Sequence, residues 1–304
     1  MAADLQMHTE ASDGKNTIEE RAEQAREEGL DAIAITDHDT ISNELEPGSQ
    51  VIEGVEVITG AEIKCEVDGV GIEILGYFLD PEDESMEELF DEMERNRRER
   101  MEEMVQNVNE GEGLDLTVED VEEYAEGTLG RPHLGMALED IGRASSVNEA
   151  FDEYIGEEAG TGYYVETEKL PAEKAIDLVH QNGGVCSLSH PGRDLPYEEA
   201  DEIVSELADD GLDALEVWYT YEHKIEDGFD ISFAEHLQEQ GMKEPEEIAD
   251  RIQQEVNILA EKYDLIKTGG SDCHGEGSGK YNIGEVSLDG DYVDQLRAAK
   301  QSAA

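Results

Sequence analysis

Histidine is scarce in this chain of 304 residues: there are eight, and four of them sit in short polar motifs at the ends of apolar runs. His8 follows the run 4–7, His38 lies in Thr36-Asp37-His38-Asp39, His190 in Ser189-His190-Pro191-Gly192, and His274 in Gly270-Ser271-Asp272-Cys273-His274. Imidazole ligates metals and carries protons near neutral pH. Carboxylates gather at the same places: Asp13, Asp37, Glu62 and Asp272, with Glu216 in a further apolar run. A mixed imidazole and carboxylate set suits zinc, manganese or iron, and a set this large could hold two or three divalent ions. Bound cations would also reverse the field of converging carboxylates, so that the site attracts anions such as phosphate. The competing reading is that these histidines cap strand ends through hydrogen bonds.

Ligands from distant stretches need a scaffold that brings them together. Runs rich in Val, Ile and Leu at 4–7, 31–36, 55–63, 70–78, 184–189, 213–218 and 265–269 read as strands, and helical patterns lie at 17–28, 171–181, 198–208 and 245–262. Alternating strands and helices imply parallel strands with covering helices. In a barrel of such strands the C-terminal ends meet at one mouth, where residues tend to be catalytic. Residues 81–167 break the rhythm and read as an inserted helical domain between two parts of the barrel, 1–80 and 168–304. Its first helix spaces Met86, Leu89, Phe90, Met93, Met101, Met104, Val105 and Val108 along one face. The same helix carries Arg95, Arg97, Arg98 and Arg100, which read either as i, i+4 partners (Glu94 with Arg98) or as a phosphate-contacting edge. Asp68-Gly69 predicts a two-residue hairpin that sets Lys64 opposite Glu73, with Glu62 diagonal on the same face. That geometry permits a metal site shared by Glu62 and Glu73 and equally a Lys64–Glu73 ion pair.

Composition bounds the rest. Asp and Glu number 79 against 21 Lys and Arg, a formal net charge of −58 spread along the chain. Such self-repulsion destabilises a compact state in dilute buffer, whereas molar salt cuts the screening length to about 3 Å. The expectation is therefore a haloarchaeal-like surface adapted to a high-salt cytoplasm, rather than an acidic mimic of nucleic acid. No stretch approaches the roughly 20 apolar residues of a membrane span, and Met1-Ala2-Ala3-Asp4 runs straight into the first strand, so a soluble cytoplasmic chain is expected. Cys65, Cys186 and Cys273 are odd in number and far apart; they suit neither a disulfide framework nor a Cys-x-x-Cys zinc site.

Taken together, Asp4-Leu5-Gln6-Met7-His8-x4-Asp13-Gly14, Thr36-Asp37-His38-Asp39, Gly60-Ala61-Glu62-Ile63, Gly130-Arg131-Pro132-His133, His190-Pro191-Gly192-Arg193 and Gly270-Ser271-Asp272-Cys273-His274 resemble the PHP (polymerase and histidinol phosphatase) superfamily of metal-dependent phosphoesterases. The resemblance spans nearly the whole chain, including the helical insertion of a subgroup that hydrolyses nucleotide phosphates. It implies an α/β fold, a distorted (β/α)7 TIM-like barrel, with a trinuclear metal cluster. His8, Glu62 and Asp272 would hold the first ion, Glu62 and His190 the second, and Asp13, His38 and His274 the third. It also implies that Arg131 and His133 face the substrate phosphate and that Arg193 is a further contact; with Asp37 these are the candidate catalytic residues. Two positions depart from the pattern. Gln6 stands where the family has a histidine, and Glu73 where many relatives have a histidine ligand. An anionic ligand in place of a neutral one favours manganese or ferrous iron over zinc.

The chemistry implied is hydrolysis of a phosphate monoester by metal-activated hydroxide, with metals and Arg131 or Arg193 stabilising charge on the phosphoryl oxygens. His133 or His223 could protonate the leaving group, or be a plain surface or loop histidine; His180 and His236 lie in helical segments and read as structural. Cys273 is disfavoured as a nucleophile because strand neighbours point to opposite faces. Surface charge opposes long nucleic acid, so the expected substrate is small and phosphorylated. A nucleoside 3′,5′-bisphosphate is the specific expectation from the resemblance, and histidinol phosphate the alternative substrate. The rival class is a non-catalytic metal- or nucleotide-binding relative, because Gln6 and Glu73 replace two ligands.

Overall fold

A computed structural model of the chain describes residues 2–125, 128–166, 169–275 and 282–303. Its strands are β1 (Ala2–Met7), β2 (Ala32–Ile35), β3 (Ser49–Ile52), β4 (Val55–Val67), β5 (Val70–Tyr77), β6 (Val185–Leu188), β7 (Ala214–Trp218), β8 (Ile266–Gly269) and β9 (Leu288–Asp289). They form one sheet in the order β8-β7-β6-β5-β4-β2-β1-β9, with β3 on the side of β4. The sheet curls back on itself beyond β8. There Met7 and Cys273 form a parallel bridge, and Asp272 N–H donates to the Gln6 carbonyl at 3.0 Å. The result is a nearly closed α/β barrel.

The strands are not all parallel, as the alternation of strands and helices had implied. β4 pairs antiparallel with β5, and β5 antiparallel with β6. Asp68 (φ 49°) and Gly69 (φ 84°) turn the chain in two residues, which is too few for the crossover that parallel neighbours need. The register puts Lys64 opposite Glu73 and Glu62 opposite Leu75, as hairpin arithmetic requires. Elsewhere β1, β2 and the first half of β4 are parallel, as are β6, β7 and β8. Helices Ile18–Glu28, Ala200–Asp209 and Pro245–Lys262 serve as crossovers. The first begins at a capping box between Thr17 and Glu20, the reciprocal bonding that satisfies two orphan N–H groups.

Successive residues of β2 face opposite layers. Ala32 and Ala34 pack with Ile58, Leu75, Tyr77, Val185 and Ala214, while Ile33 and Ile35 pack with Ile18, Ala22 and Ala25 of the first helix. Closure depends on Gly270, where a Cβ would stand 2.4 Å from the Gln6 backbone nitrogen. Gly270→Ala is therefore expected to prise the seam between β1 and the chain after β8, costing about 1–3 kcal/mol or more by overpacking. A thermal melt in molar KCl checks this; an unchanged midpoint would mean that the seam has slack.

The chain divides into two compact units, Met1–Glu87 with Lys169–Ala304, and Glu88–Glu168. The first is the barrel. The second is helical, with its own core of Met101, Met104, Val105, Val108, Leu134 and Leu138. There Arg98 pairs forward with Glu102, and with Glu119 and Glu122, rather than back with Glu94. Among the described residues no helix is long and apolar enough to cross a membrane.

Candidate metal centre

β1 is polar at alternate positions, and Asp4, Gln6 and the following His8 are all fully buried. Three imidazoles from three strand ends lie together: the His8 ring centroid is 4.5 Å from that of His38 and 4.1 Å from that of His274. Asp13, in the loop after β1, places Oδ1 3.1 Å from His274 Nε2. His274 Nδ1 lies 2.7 Å from the Asp272 carbonyl; since a carbonyl only accepts, that bond fixes the tautomer and leaves Nε2 as the electron-pair donor.

Glu62 on β4 is the hub. Its Oε2 stands 3.3 Å from His8 Nε2 and 3.1 Å from His38 Nδ1, and its Oε1 stands 3.1 Å from His190 Nε2. Gln6 Nε2 donates to Glu62 Oε1 at 2.8 Å, and so does Ser189 Oγ at 2.8 Å. Gln6, at the family's usual histidine position, therefore orients the central carboxylate. Ligand-type atoms fall into groups that could each hold an ion: His8, Asp13, His38 and His274; His8, Glu62 and Asp272; His38, Glu62 and Glu73; and Glu73, His190 and Asp194.

The donors fit cations. Gln6 Oε1, His8 Nδ1 and Nε2, His38 Nδ1 and Glu62 Oε2 are buried and lack a hydrogen-bond partner. Each such atom costs about 1–3 kcal/mol if nothing satisfies it. His190 (φ 27°), Asp272 (φ 54°) and Asp39 (φ 49°) hold left-handed backbone, strain of the kind that clusters at functional sites. Burial disfavours a charged His8 ring, but Asp272 and Glu62 outweigh it and raise its pKa to about 10. Burial drives His38 the other way, to about 4. Glu216, whose Oε2 accepts from His190 N–H, is raised by burial to about 8, so it is largely protonated at neutral pH. Because His8 carries a proton until pH approaches 10 and a ligand must shed it, metal affinity is expected to rise with pH. Calorimetry in buffers of different ionisation enthalpy should show about one proton or more released per bound ion; affinity that is flat between roughly pH 6 and 9 would contradict this.

Asp37 accepts from Thr9 N–H at 2.7 Å, Thr9 Oγ at 2.7 Å and Ser12 Oγ at 2.6 Å. Both its oxygens are engaged with the loop that carries Asp13, which they hold against the end of β2. Arg193 donates to Glu73 Oε2 at 2.7 Å and to Asp194 Oδ1 at 2.7 Å. Lys64 also approaches Glu73, at 3.9 Å, and His190 Nε2 lies 3.3 Å from it, so Glu73 takes part in both alternatives. Arg131 and His133 belong to the helical unit: Arg131 lies over the Phe151 and Tyr164 rings, and His133 Nδ1 accepts from Gly130 N–H. His223 is half-exposed beside Glu285. Cys273 Sγ accepts from Arg21, and burial raises its thiol pKa, which fits the reading against a nucleophile.

Several neighbours carried no signal in the sequence. Buried Lys224 donates to Asp272 Oδ2 at 2.6 Å, and Tyr219 OH donates to the same oxygen at 2.8 Å, leaving Oδ1 toward His8 at 3.2 Å. Asp194 Oδ2 lies 2.8 Å from His190 Nδ1. Arg21, fully buried, binds the carbonyls of both His8 and Cys273 and so ties two ligand-bearing strand ends together. Apart from the i, i+4 pair of His190 and Asp194, none of these contacts follows a helix or strand period.

The PHP domain profile matches residues 4–215. The 5′-3′ exoribonuclease Rnm of Escherichia coli is 30% identical over 220 residues, 70% of this chain and 74% of that protein. The 3′,5′-nucleoside bisphosphate phosphatase of Chromobacterium violaceum is 22% identical across 93% of this chain and 90% of its own. A crystal structure from Bifidobacterium adolescentis, assigned as a metal-dependent phosphoesterase, superimposes with a TM-score of 0.69 at 28% identity, over 97% of this chain and 95% of that one. With the profile running from β1 into β7, the chain belongs to the PHP domain family and is a metal-dependent phosphoesterase.

Proposed function

We propose that the chain removes a phosphate from a small nucleotide, with a nucleoside 3′,5′-bisphosphate as the first candidate, using two or three divalent ions. The observation that carries this reading is Glu62, a buried carboxylate within 3.3 Å of nitrogens from His8, His38 and His190, an arrangement suited to adjacent cations. The carboxylate-rich set around Glu73 and Asp194 favours manganese or ferrous iron over zinc. When bound, such ions lower the pKa of water and offset charge on phosphoryl oxygens. The chain's own part is to hold Glu62 through Gln6 and Ser189, to hold Asp272 through Lys224 and Tyr219, and to present Arg193 beside Glu73 as a cation near the incoming phosphate.

A second reading is favoured by the identity to 5′-3′ exoribonucleases: the same chemistry on the 5′ end of a short RNA. A net charge of −58 repels a long polyanion more than a nucleotide. Both readings are tested by one panel in molar KCl with manganese. Release of inorganic phosphate from a nucleoside 3′,5′-bisphosphate supports the first. Stepwise release of nucleotides from a 5′-phosphorylated oligoribonucleotide, with none from the bisphosphate, supports the second. No turnover of either, or of histidinol phosphate or an aryl phosphate, at full metal occupancy would leave a binding protein.

A further inference from the structure

The geometry points to a second metal site, mononuclear and thiolate-containing, formed by His180, Cys186 and Asp213 at the opposite end of the barrel from the phosphoesterase centre. His180 lies in the last turn of helix Ala172–Gln181, Cys186 is the second residue of β6, and Asp213 immediately precedes β7. All three therefore stand where strands begin, whereas His190 and the other mouth ligands stand where strands end.

Three ligand atoms converge. His180 Nε2 is 2.8 Å from Asp213 Oδ2, Cys186 Sγ is 3.3 Å from that same oxygen, and Sγ is 3.6 Å from Nε2. A tetrahedral zinc ion with bonds of about 2.0–2.3 Å separates its ligand atoms by roughly 3.3–3.6 Å. Two of the three separations fall in that range, and the third needs an opening of about half an ångström. Cys186 N–H donates to Asp213 Oδ2 at 2.9 Å, which orients the carboxylate as outer-shell contacts do in metal sites. The thiol is buried at the base, while the His180 and Asp213 side chains are 30% and 26% exposed. That leaves an entry path and room for water as a fourth ligand.

Charge balance favours the exchange. Without metal, Asp213 raises the His180 pKa by accepting its proton, Asp213 itself is held low against its burial by His180, and burial keeps the Cys186 thiol protonated. A divalent ion displaces the Cys186 thiol proton, and any proton on His180, to solvent, and the product, with neutral imidazole, carboxylate and thiolate, carries no net charge. A thiolate selects zinc or cobalt over manganese, whereas the carboxylate-rich mouth favours manganese.

Titration of the wild-type chain with Co(II) in molar KCl tests the site without any assay of turnover. The expected result is a near-ultraviolet thiolate-to-cobalt charge-transfer band that saturates at an intensity corresponding to one thiolate-bound cobalt per chain and is displaced by zinc. Ligands at the mouth are nitrogen and oxygen only, so they give no such band. Cys186→Ser should abolish it and His180→Gln should weaken zinc binding by about 10-fold or more, with manganese-dependent turnover retained in both. If Cys186→Ser does not fold, the half-exposed His180→Gln still carries the comparison. Absence of the band at saturating cobalt, or its survival in Cys186→Ser, overturns the proposal.

Discussion

Glu62→Gln is expected to lower turnover by about 10³-fold or more and to reduce bound metal per chain, while the barrel stays folded. The substitution keeps shape and removes charge. Glu62 offers one oxygen to His8 and His38 and the other to His190, Gln6 and Ser189. An amide would present N–H groups to neighbours that already donate, and no longer offsets the charge of cations. Loss of a partner that merely orients a ligand costs about 10–100-fold in affinity or activity; loss of a carboxylate shared between ligand groups must cost more. Burial opposes ionisation of Glu62, but His38, His190 and His8 hold its pKa well below the usual range. Its contribution to stability is thus present above the unfolded carboxylate pKa and fades as pH falls through the folded value. In Glu62→Gln that acid limb of the stability profile should flatten. Glu216→Gln is the control: a carboxyl already protonated at neutral pH loses little charge, so metal content should hold. Elemental analysis and kcat on an aryl phosphate decide the matter; a Glu62→Gln enzyme with near-normal metal and turnover would remove Glu62 from the centre.

What could be read from the sequence was whatever repeats locally. The runs that became β1, β2 and β4 through β8 were visible as apolar stretches, and the pattern at 17–28 marked the first helix. β3 and β9 were not visible, because Ser49–Ile52 and Leu288–Asp289 are short and recruited by edge pairing with β4 and β1. The reversal of β5 against β4 was legible in the Asp68-Gly69 hairpin, whereas the antiparallel pairing of β5 with β6 was not. A strand reads alike in both directions, and only the two-residue turn before it carried the sign. His8, His38 and His274 announced themselves by rarity and by position at strand ends. Lys224 and Arg21 did not. A lysine on a short helix meets Asp272 forty-eight residues later, and an arginine on the first helix meets Cys273; contacts between elements so far apart leave no spacing to read. His180, Cys186 and Asp213 stayed hidden for the same reason, since three different elements bring them together.

Lowering KCl from molar to about 10 mM is expected to unfold the chain, with the loss of far-UV circular dichroism and a melting midpoint that climbs steadily with salt. The size of the effect follows from the surface. With 14248 Å² exposed and a net charge of −58, each net charge has about 250 Å², a mean spacing of roughly 16 Å. Two charges at that spacing repel by about 0.26 kcal/mol in water. With about six neighbours each, the unscreened total approaches 45 kcal/mol, falling to roughly 27 at 10 mM salt, about 9 at 0.1 M and well under 1 at 1 M. Repulsion in the expanded unfolded chain cancels part of this. Even so, the low-salt figure exceeds the roughly 5–15 kcal/mol that holds a domain together, and the molar figure does not. Because screening depends on ionic strength rather than on a particular cation, KCl, NaCl and choline chloride should give nearly coincident curves. Divalent ions should act differently, rescuing the barrel at concentrations too low to screen, because they bind the folded mouth and stabilise it by mass action. A chain that keeps its signal and its midpoint at 10 mM KCl would mean that the acidic surface serves something other than life in salt.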